Sequence, residues 1–214
     1  MKIFNSDILI KKTSCNCADL PGHQIPPSVN LFVKVTKGCN AHCAFCSNAG
    51  CQSPTSLFDI EKMIRIIYEL KSKGIIVNRM NITGGEPSVV SPLVVRILDA
   101  IDKEHFDDVH LHLNTNGVTM QAQDLMQHPR WDSISMSLHH YDVNRLSDLY
   151  GCEIPAHLLH FTGVDKQKIN FSCNLIKGYI DNKEEVRKML DLTLDTGIRR
   201  IGFVALMPVN SFCK

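Results

Sequence analysis

Apolar positions along the chain alternate between two periods. Short β-rich runs at Leu31–Thr36, Ile75–Thr83, Val109–Leu113, Ser133–Ser137, Gln167–Leu175 and Arg200–Leu206 are separated by stretches with helical spacing. Leu57, Ile60, Ile64 and Ile67 repeat behind Ser56, which has Asp59 three residues on as in a capping box, and Gly74 closes the stretch. Ser91-Pro92 reads as an N-cap with proline at the first helical position, opening a helix to about Lys103. Asn116-Gly117 marks a turn, and short helices are expected near Gln121–Gln127 and Val143–Leu149. Asn182 with Glu185 caps a last helix carrying Val186, Met189, Leu190 and Leu194, ended by Gly197. Strands that each feed a helix imply βα units and a parallel sheet, either curled into a barrel or left as a doubly wound layer. In both, ligands collect at the carboxyl ends of the strands.

Composition narrows the class. The chain has 214 residues, which at roughly 150 per domain means one domain with at most a short appendage. Hydrophobic residues at 44% and charged residues at 21% exclude a disordered or fibrous chain. No apolar run approaches the roughly 18–20 residues that cross a bilayer. Lys plus Arg number 23 and Asp plus Glu 22, a net charge of +1, so electrostatics give no case for a nucleic-acid or membrane partner. The nine cysteines are an odd number. With no signal-like start, the chain reads as cytoplasmic, where cysteines serve as metal ligands or small buried groups.

Chemistry gathers just after the strands. Cys39, Cys43 and Cys46 form a C-x3-C-x2-C loop behind the first strand. A zinc site wants four protein ligands, and His42 or Cys51 would have to supply the fourth. A four-iron cluster on three cysteines instead keeps one iron open. After the second strand comes Thr83-Gly84-Gly85-Glu86-Pro87, where two glycines let backbone lie flat against a ligand and a carboxylate suits an ammonium group.

In these two motifs the chain resembles the radical S-adenosylmethionine (radical SAM) superfamily, with aromatic Phe45 before the last cysteine. The resemblance runs from about Asn30 to Asn210 and implies an α/β fold, a partial (β/α)6 TIM-type barrel with parallel strands. It implies a core over 29–210, behind an extension and Pro21–Pro27 linker over 1–28 and before a tail at 211–214. Cys39, Cys43 and Cys46 would hold a [4Fe–4S] cluster, and Gly84, Gly85, Glu86 and Pro87 would receive the methionine part of SAM, with Glu86 on its amino group. The implied activity is reductive SAM cleavage and hydrogen abstraction, fed by an electron donor such as flavodoxin or ferredoxin and acting on a peptide or small molecule. A non-catalytic iron–sulfur electron-transfer subunit is the alternative, which the complete GGEP turn disfavours.

Later residues resemble the branch containing the molybdenum-cofactor GTP cyclase and the peptide maturases. These are Thr115-Asn116-Gly117, Ser135-Met136-Ser137, Lys168-Ile169-Asn170, Lys177-Gly178 and Met207-Pro208. By that resemblance Phe45, Asn116, Ser137 and Met207 join the SAM site and Lys168 the substrate site. Phe32 and Asn81 stand where the cyclase has arginines, so a triphosphate loses two partners. The chain also stops seven residues after Met207, so it is read as a minimal enzyme or a piece of a larger one, with Cys213 a terminal cysteine or the first ligand of a further cluster. His139 and His140 follow the fourth strand at the functional rim as candidate substrate contacts. Cys15 and Cys17 form a C-x-C in the extension without further local ligands for a metal, Cys51 and Cys152 read as loop cysteines, and Cys173 as a small buried hydrophobe.

Overall fold

The computed structural model describes residues 26–47, 58–206 and 210–213, together with the backbone of residues 2–3 and 6–7. Six strands form one sheet: β1 (Ser28–Lys34), β2 (Ile76–Thr83), β3 (His110–Thr115), β4 (Ser133–Ser137), β5 (Ile169–Leu175) and β6 (Ile201–Ala205). Their order follows the chain, every neighbouring pair is parallel, and β1 and β6 are the edges of the sheet among the described residues. The result is a curled half-barrel, the partial TIM-type barrel expected. Helices α1 (Ile60–Ser72), α2 (Ser91–Lys103), α3 (Met120–Met126), α4 (Val143–Tyr150) and α5 (Lys183–Asp195) supply the crossovers. None is long and apolar enough to cross a membrane among the described residues. A two-residue ladder, Lys2–Ile3 against Ser6–Asp7, lies outside the sheet.

Strand alternation separates two chemistries. Met80 and Ile82 on β2, Leu111 and Leu113 on β3, Ile134 and Met136 on β4, and Phe171 on β5 are fully buried in the core shared with the helices. The intervening positions project from the other, concave face. They include Arg79, Asn81 and Thr83, then His110, His112 and Asn114, then Ser133, Ser135 and Ser137, then Asn170, Ser172 and Asn174. A closed TIM barrel fills its interior with branched apolar side chains. This half-barrel lines its hollow with polar ones.

Local chemistry adjusts several predicted boundaries. Asp59 is itself the N-cap of α1, its carboxylate accepting from the Lys62 N–H at 2.9 Å, so the helix starts at Ile60. The expected cap Ser56 lies outside the described residues. Ser91 is helical rather than a cap, because a 3-10 turn over Pro87–Val90 runs straight into α2 and moves the cap to Val90. Lys166–Lys168 forms a 3-10 turn held by Asp165, which shortens the fifth strand at its start. Asp142 and Asn182 cap α4 and α5 as their side chains predict.

Because Leu111 is fully enclosed between sheet and helices, Leu111→Ala should destabilise the fold by about 2–5 kcal/mol, the range for deleting a buried leucine. Denaturant unfolding followed by far-UV circular dichroism measures it.

Candidate active site

The motif loops meet above the carboxyl ends of β1, β2 and β3. Beyond β1 the backbone stays against β2, Val35 N–H donating to Thr83 O at 2.9 Å. The Thr36 hydroxyl then accepts from Gly38 N–H at 2.9 Å and turns the chain into the cysteine loop. The glycine turn after β2 is strapped onto that loop: Gly85 N–H donates to Thr36 O and Glu86 N–H to Gly38 O, both at 2.8 Å. A Cβ on Gly85 would lie 2.0 Å from Gly38 O, and one on Gly84 2.6 Å from Thr36 O. Both glycines are required by this backbone-on-backbone contact.

Glu86 is 1% exposed and joins three loops. Its Oε1 accepts from the Ser88 N–H at 3.0 Å and the Thr115 hydroxyl at 2.7 Å, and its Oε2 from the Asn116 N–H at 2.7 Å. Burial pushes the carboxyl above its usual range, and these donors act against that shift by favouring the ionised form. Thr115 in turn accepts from Gly117 N–H at 3.1 Å. The Asn116 amide reaches back to Asn40 Oδ1 at 2.9 Å, so the β3 turn grips the cysteine loop as well. Pro87 is buried and starts the turn that follows.

The cysteine loop is also held from the far side of the sheet. His42 N–H donates to Tyr150 O at 2.7 Å, and the buried Tyr150 hydroxyl donates to Ser137 O at 2.7 Å. Cys39 Sγ accepts from Ala41 N–H at 3.4 Å. Burial raises the Cys39 and Cys43 thiols, that of Cys43 to about 12, and mutual repulsion adds to both. Bound metal reverses such a shift, since a coordinating thiol is deprotonated outright. Cys39, Cys43 and Cys46 line one cavity of about 420 Å³ together with Gly85 and Glu86. Among the described residues no group of three or more His, Cys, Asp or Glu side chains closes on a single ion. A cubane asks for a different arrangement, one thiolate per iron around a body larger than an ion. The three thiols around one hollow fit that demand.

Asn116, Ser137 and His139 line the same cavity. His140, the neighbour of His139, does not. Its Nδ1 accepts from Asp142 N–H at 2.9 Å, its Nε2 lies 4.0 Å from Glu185, and it borders a separate hollow behind α4. Lys168 is also elsewhere, donating to Pro129 O at 3.1 Å. Met207 lies outside the described residues, as do Cys15, Cys17 and Cys51. Cys213, remote in sequence, returns to the loop, its thiol donating to Phe45 O at 3.9 Å. Cys173 is buried as expected.

Sequence reading passed over a polar cluster on the concave face. Arg79 donates to His110 Nε2 at 3.3 Å, and Ser133 Oγ lies 2.7 Å from both His110 Nε2 and His112 Nδ1. Burial and the Arg79 charge lower both imidazoles, His112 to about 4. No ion pair to a carboxylate forms on Arg79 among the described residues. The only sequence signal was period-two alternation of polar positions, which becomes a cluster once strand register is known.

The family model for the radical SAM superfamily matches residues 33–209. The chain belongs to the radical SAM superfamily. A curated relative from Saccharolobus solfataricus, described as a probable GTP 3',8-cyclase, is 26% identical over 191 residues, 86% of this chain and 59% of that protein. A probable GTP 3',8-cyclase of Archaeoglobus fulgidus is 32% identical over 100 residues, covering 46% of this chain and 31% of that protein. The chain thus spans about six-tenths of the length of the first of these relatives. Among solved structures, Streptococcus suis SuiB bound to S-adenosylmethionine superposes with a TM-score of 0.67 at 18% identity, covering 88% of this chain and 43% of that one. Native anSMEcpe with bound AdoMet and Cp18Cys peptide gives 0.63 at 15%, covering 85% and 52%. At such identities the likeness concerns the radical SAM fold. The family's cofactors are a [4Fe–4S] cluster and SAM.

Gly85→Ala should unseat the glycine strap from the cysteine loop, because its Cβ meets backbone rather than a movable side chain. Iron per chain and visible absorbance after anaerobic reconstitution should fall severalfold below wild type. The far-UV spectrum should persist, since the sheet does not depend on this contact.

Proposed function

We propose that the chain is a radical SAM enzyme in which Cys39, Cys43 and Cys46 hold the cluster and the Gly84–Pro87 turn receives SAM. The single observation that carries this is the strapping of the glycine turn onto the cysteine loop around one cavity, with the Glu86 carboxylate buried at the joint. When bound, cluster and SAM supply one-electron cleavage to a hydrogen-abstracting 5'-deoxyadenosyl radical, with flavodoxin or ferredoxin as the proposed donor. The chain's own residues bind and orient. Glu86 Oε2 takes one donor from the chain against two on Oε1, so it retains acceptor capacity for the SAM ammonium. Asn116 and Ser137 border the cavity with polar groups for the rest of SAM, and the Phe45 ring lines it beside them.

The polar concave face is the proposed substrate surface. It suits a polar small molecule or a peptide, and the Arg79 guanidinium there offers a seat for an oxyanion. GTP is disfavoured as substrate. Phe32, 75% exposed, pairs in register with Asn81, whose amide donates to Leu31 O, at the two places where the cyclase resemblance calls for arginine. Lys168 is engaged by Pro129 O.

Reconstituted protein reduced with dithionite should convert SAM to 5'-deoxyadenosine, followed by chromatography. Alanine at Cys39, Cys43 or Cys46 should lower the yield to background and remove most of the iron. Tight binding of one zinc with no iron would overturn the reading. GTP added to the wild type should neither be consumed nor raise 5'-deoxyadenosine, and stoichiometric GTP loss would refute its exclusion.

A further inference from the structure

Beyond the carboxyl ends of the strands, the segments that follow the two edges of the sheet are tied together. The cysteine loop follows β1, and a short turn, Ser211–Cys213, follows β6. Although 166 residues separate them in sequence, the Asn210 side-chain amide donates to Ala44 O at 3.0 Å. The Cys213 thiol adds a longer contact to Phe45 O at 3.9 Å. The partners of Asn210 decide the orientation of its amide. Its Oδ1 accepts from the Cys213 N–H at 3.2 Å, which leaves Nδ2 to face the carbonyl. A flipped amide would set donor against donor and acceptor against acceptor.

The tie falls on the part of the loop between two of the candidate cluster thiols. Cys46 N–H donates to Cys43 O at 3.0 Å and closes the Cys43–Cys46 turn on itself. The two carbonyls inside that turn, Ala44 O and Phe45 O, are the ones that the segment after β6 takes. A peptide unit is planar, so holding its carbonyl fixes the plane of the whole unit. The units joining Ala44 to Phe45 and Phe45 to Cys46 are set in this way, and the Cys46 Cα with them. The bonds to Thr36, Gly38, Asn40 and His42 hold the first half of the loop; Asn210 and Cys213 hold the second. Of these two, Asn210 makes an ordinary amide–carbonyl hydrogen bond, whereas a thiol is a weak donor. Phe45 and Cys46 line the same cavity as Val204, Ala205 and Leu206 at the end of β6, so the tie also spaces two parts of its wall.

We propose that Asn210 is a positioning residue for the cluster: by holding Ala44 O, its amide keeps the Cys43–Cys46 turn in the shape that presents both thiols to the cavity. The inference rests on the cluster reading above and extends it to a side chain that does not itself line the cavity. Its effect is on how long iron is retained and at what potential the cluster is reduced. Potentials of iron–sulfur clusters depend on the hydrogen bonds and solvent exposure around their sulfurs. A loosened turn admits water, and water favours the reduced cluster, which carries one more negative charge than the oxidised one.

Two substitutions separate this role from general stability. Asn210→Leu keeps the volume and adds no charge but deletes the donor, while the Cys213 N–H retains the residue-210 carbonyl it already meets at 3.2 Å. Asn210→Gln carries the same amide on a longer stem. Each reconstituted chain would be exposed to an iron chelator to time the loss of cluster absorbance, and its midpoint potential would be read by electron paramagnetic resonance during a redox titration. Asn210→Leu should release iron about tenfold faster than wild type, as for one lost hydrogen bond, and its midpoint should move to a more positive potential. Asn210→Gln should lie nearer wild type in both. A wild-type release rate in Asn210→Leu would overturn the assignment, as would equal effects of Leu and Gln. Faster release with an unchanged midpoint would make Asn210 a matter of stability alone and refute a positioning role. Failure of the wild-type chain to take up iron would instead overturn the functional reading, and this inference with it.

Discussion

A buried carboxylate with no ion pair among the described residues depends on donors aimed at it, and Glu86 is such a group. Ser88, Thr115 and Asn116 each spend a donor on it, and those donors come from two different loops. Its own N–H is tied to Gly38 of a third. Loss of any one donor leaves part of a charge unsolvated, so the loops are bound to one another through the same few atoms. Replacement by glutamine would set an amide N–H against the chain's own N–H groups. The arrangement of the cavity follows from this constraint. The cysteine loop takes its position from the glycine turn, and the Asn116 amide secures it through Asn40.

The same separation of polar and apolar chemistry continues down the sheet. Leucine, isoleucine and methionine on one side weld it to the helices, while histidine, serine and asparagine on the other leave a hollow that a packed core would fill. The chain of Arg79, His110, Ser133 and His112 shows the order this surface can hold. Arg79 donates to His110 Nε2, and the Ser133 hydroxyl lies 2.7 Å from both His110 Nε2 and His112 Nδ1. A polar lining of this kind suits recognition of a polar substrate more than electron transfer, which needs no such lining.

Much of this was legible in sequence where the information is local. Cys39, Cys43 and Cys46 lie within one loop and the glycine turn within another, each directly after a strand, so their meeting follows from parallel βα topology. Asp142 and Asn182 announce their helices because a cap acts over three residues. What sequence left unresolved depends on distant partners. His139 and His140 are adjacent and chemically equivalent, yet the Asn174 amide takes one into the cavity while Asp142 and Glu185 hold the other outside. Arg79 and its imidazoles become one cluster only through the register of β2, β3 and β4. Cys213 reaches Phe45 across 168 residues of chain.

The central claim is that three thiolates in a cavity shared with the glycine turn leave one iron open for SAM. The most direct measurement is electron paramagnetic resonance of the reconstituted, reduced protein with and without SAM, extended by electron–nuclear double resonance with SAM labelled with nitrogen-15 at its amino group. The account predicts a changed g-tensor on SAM addition and a hyperfine coupling from the labelled nitrogen, both absent when any of Cys39, Cys43 or Cys46 is replaced. Identical spectra with and without SAM, from a cluster of full iron content, would contradict it.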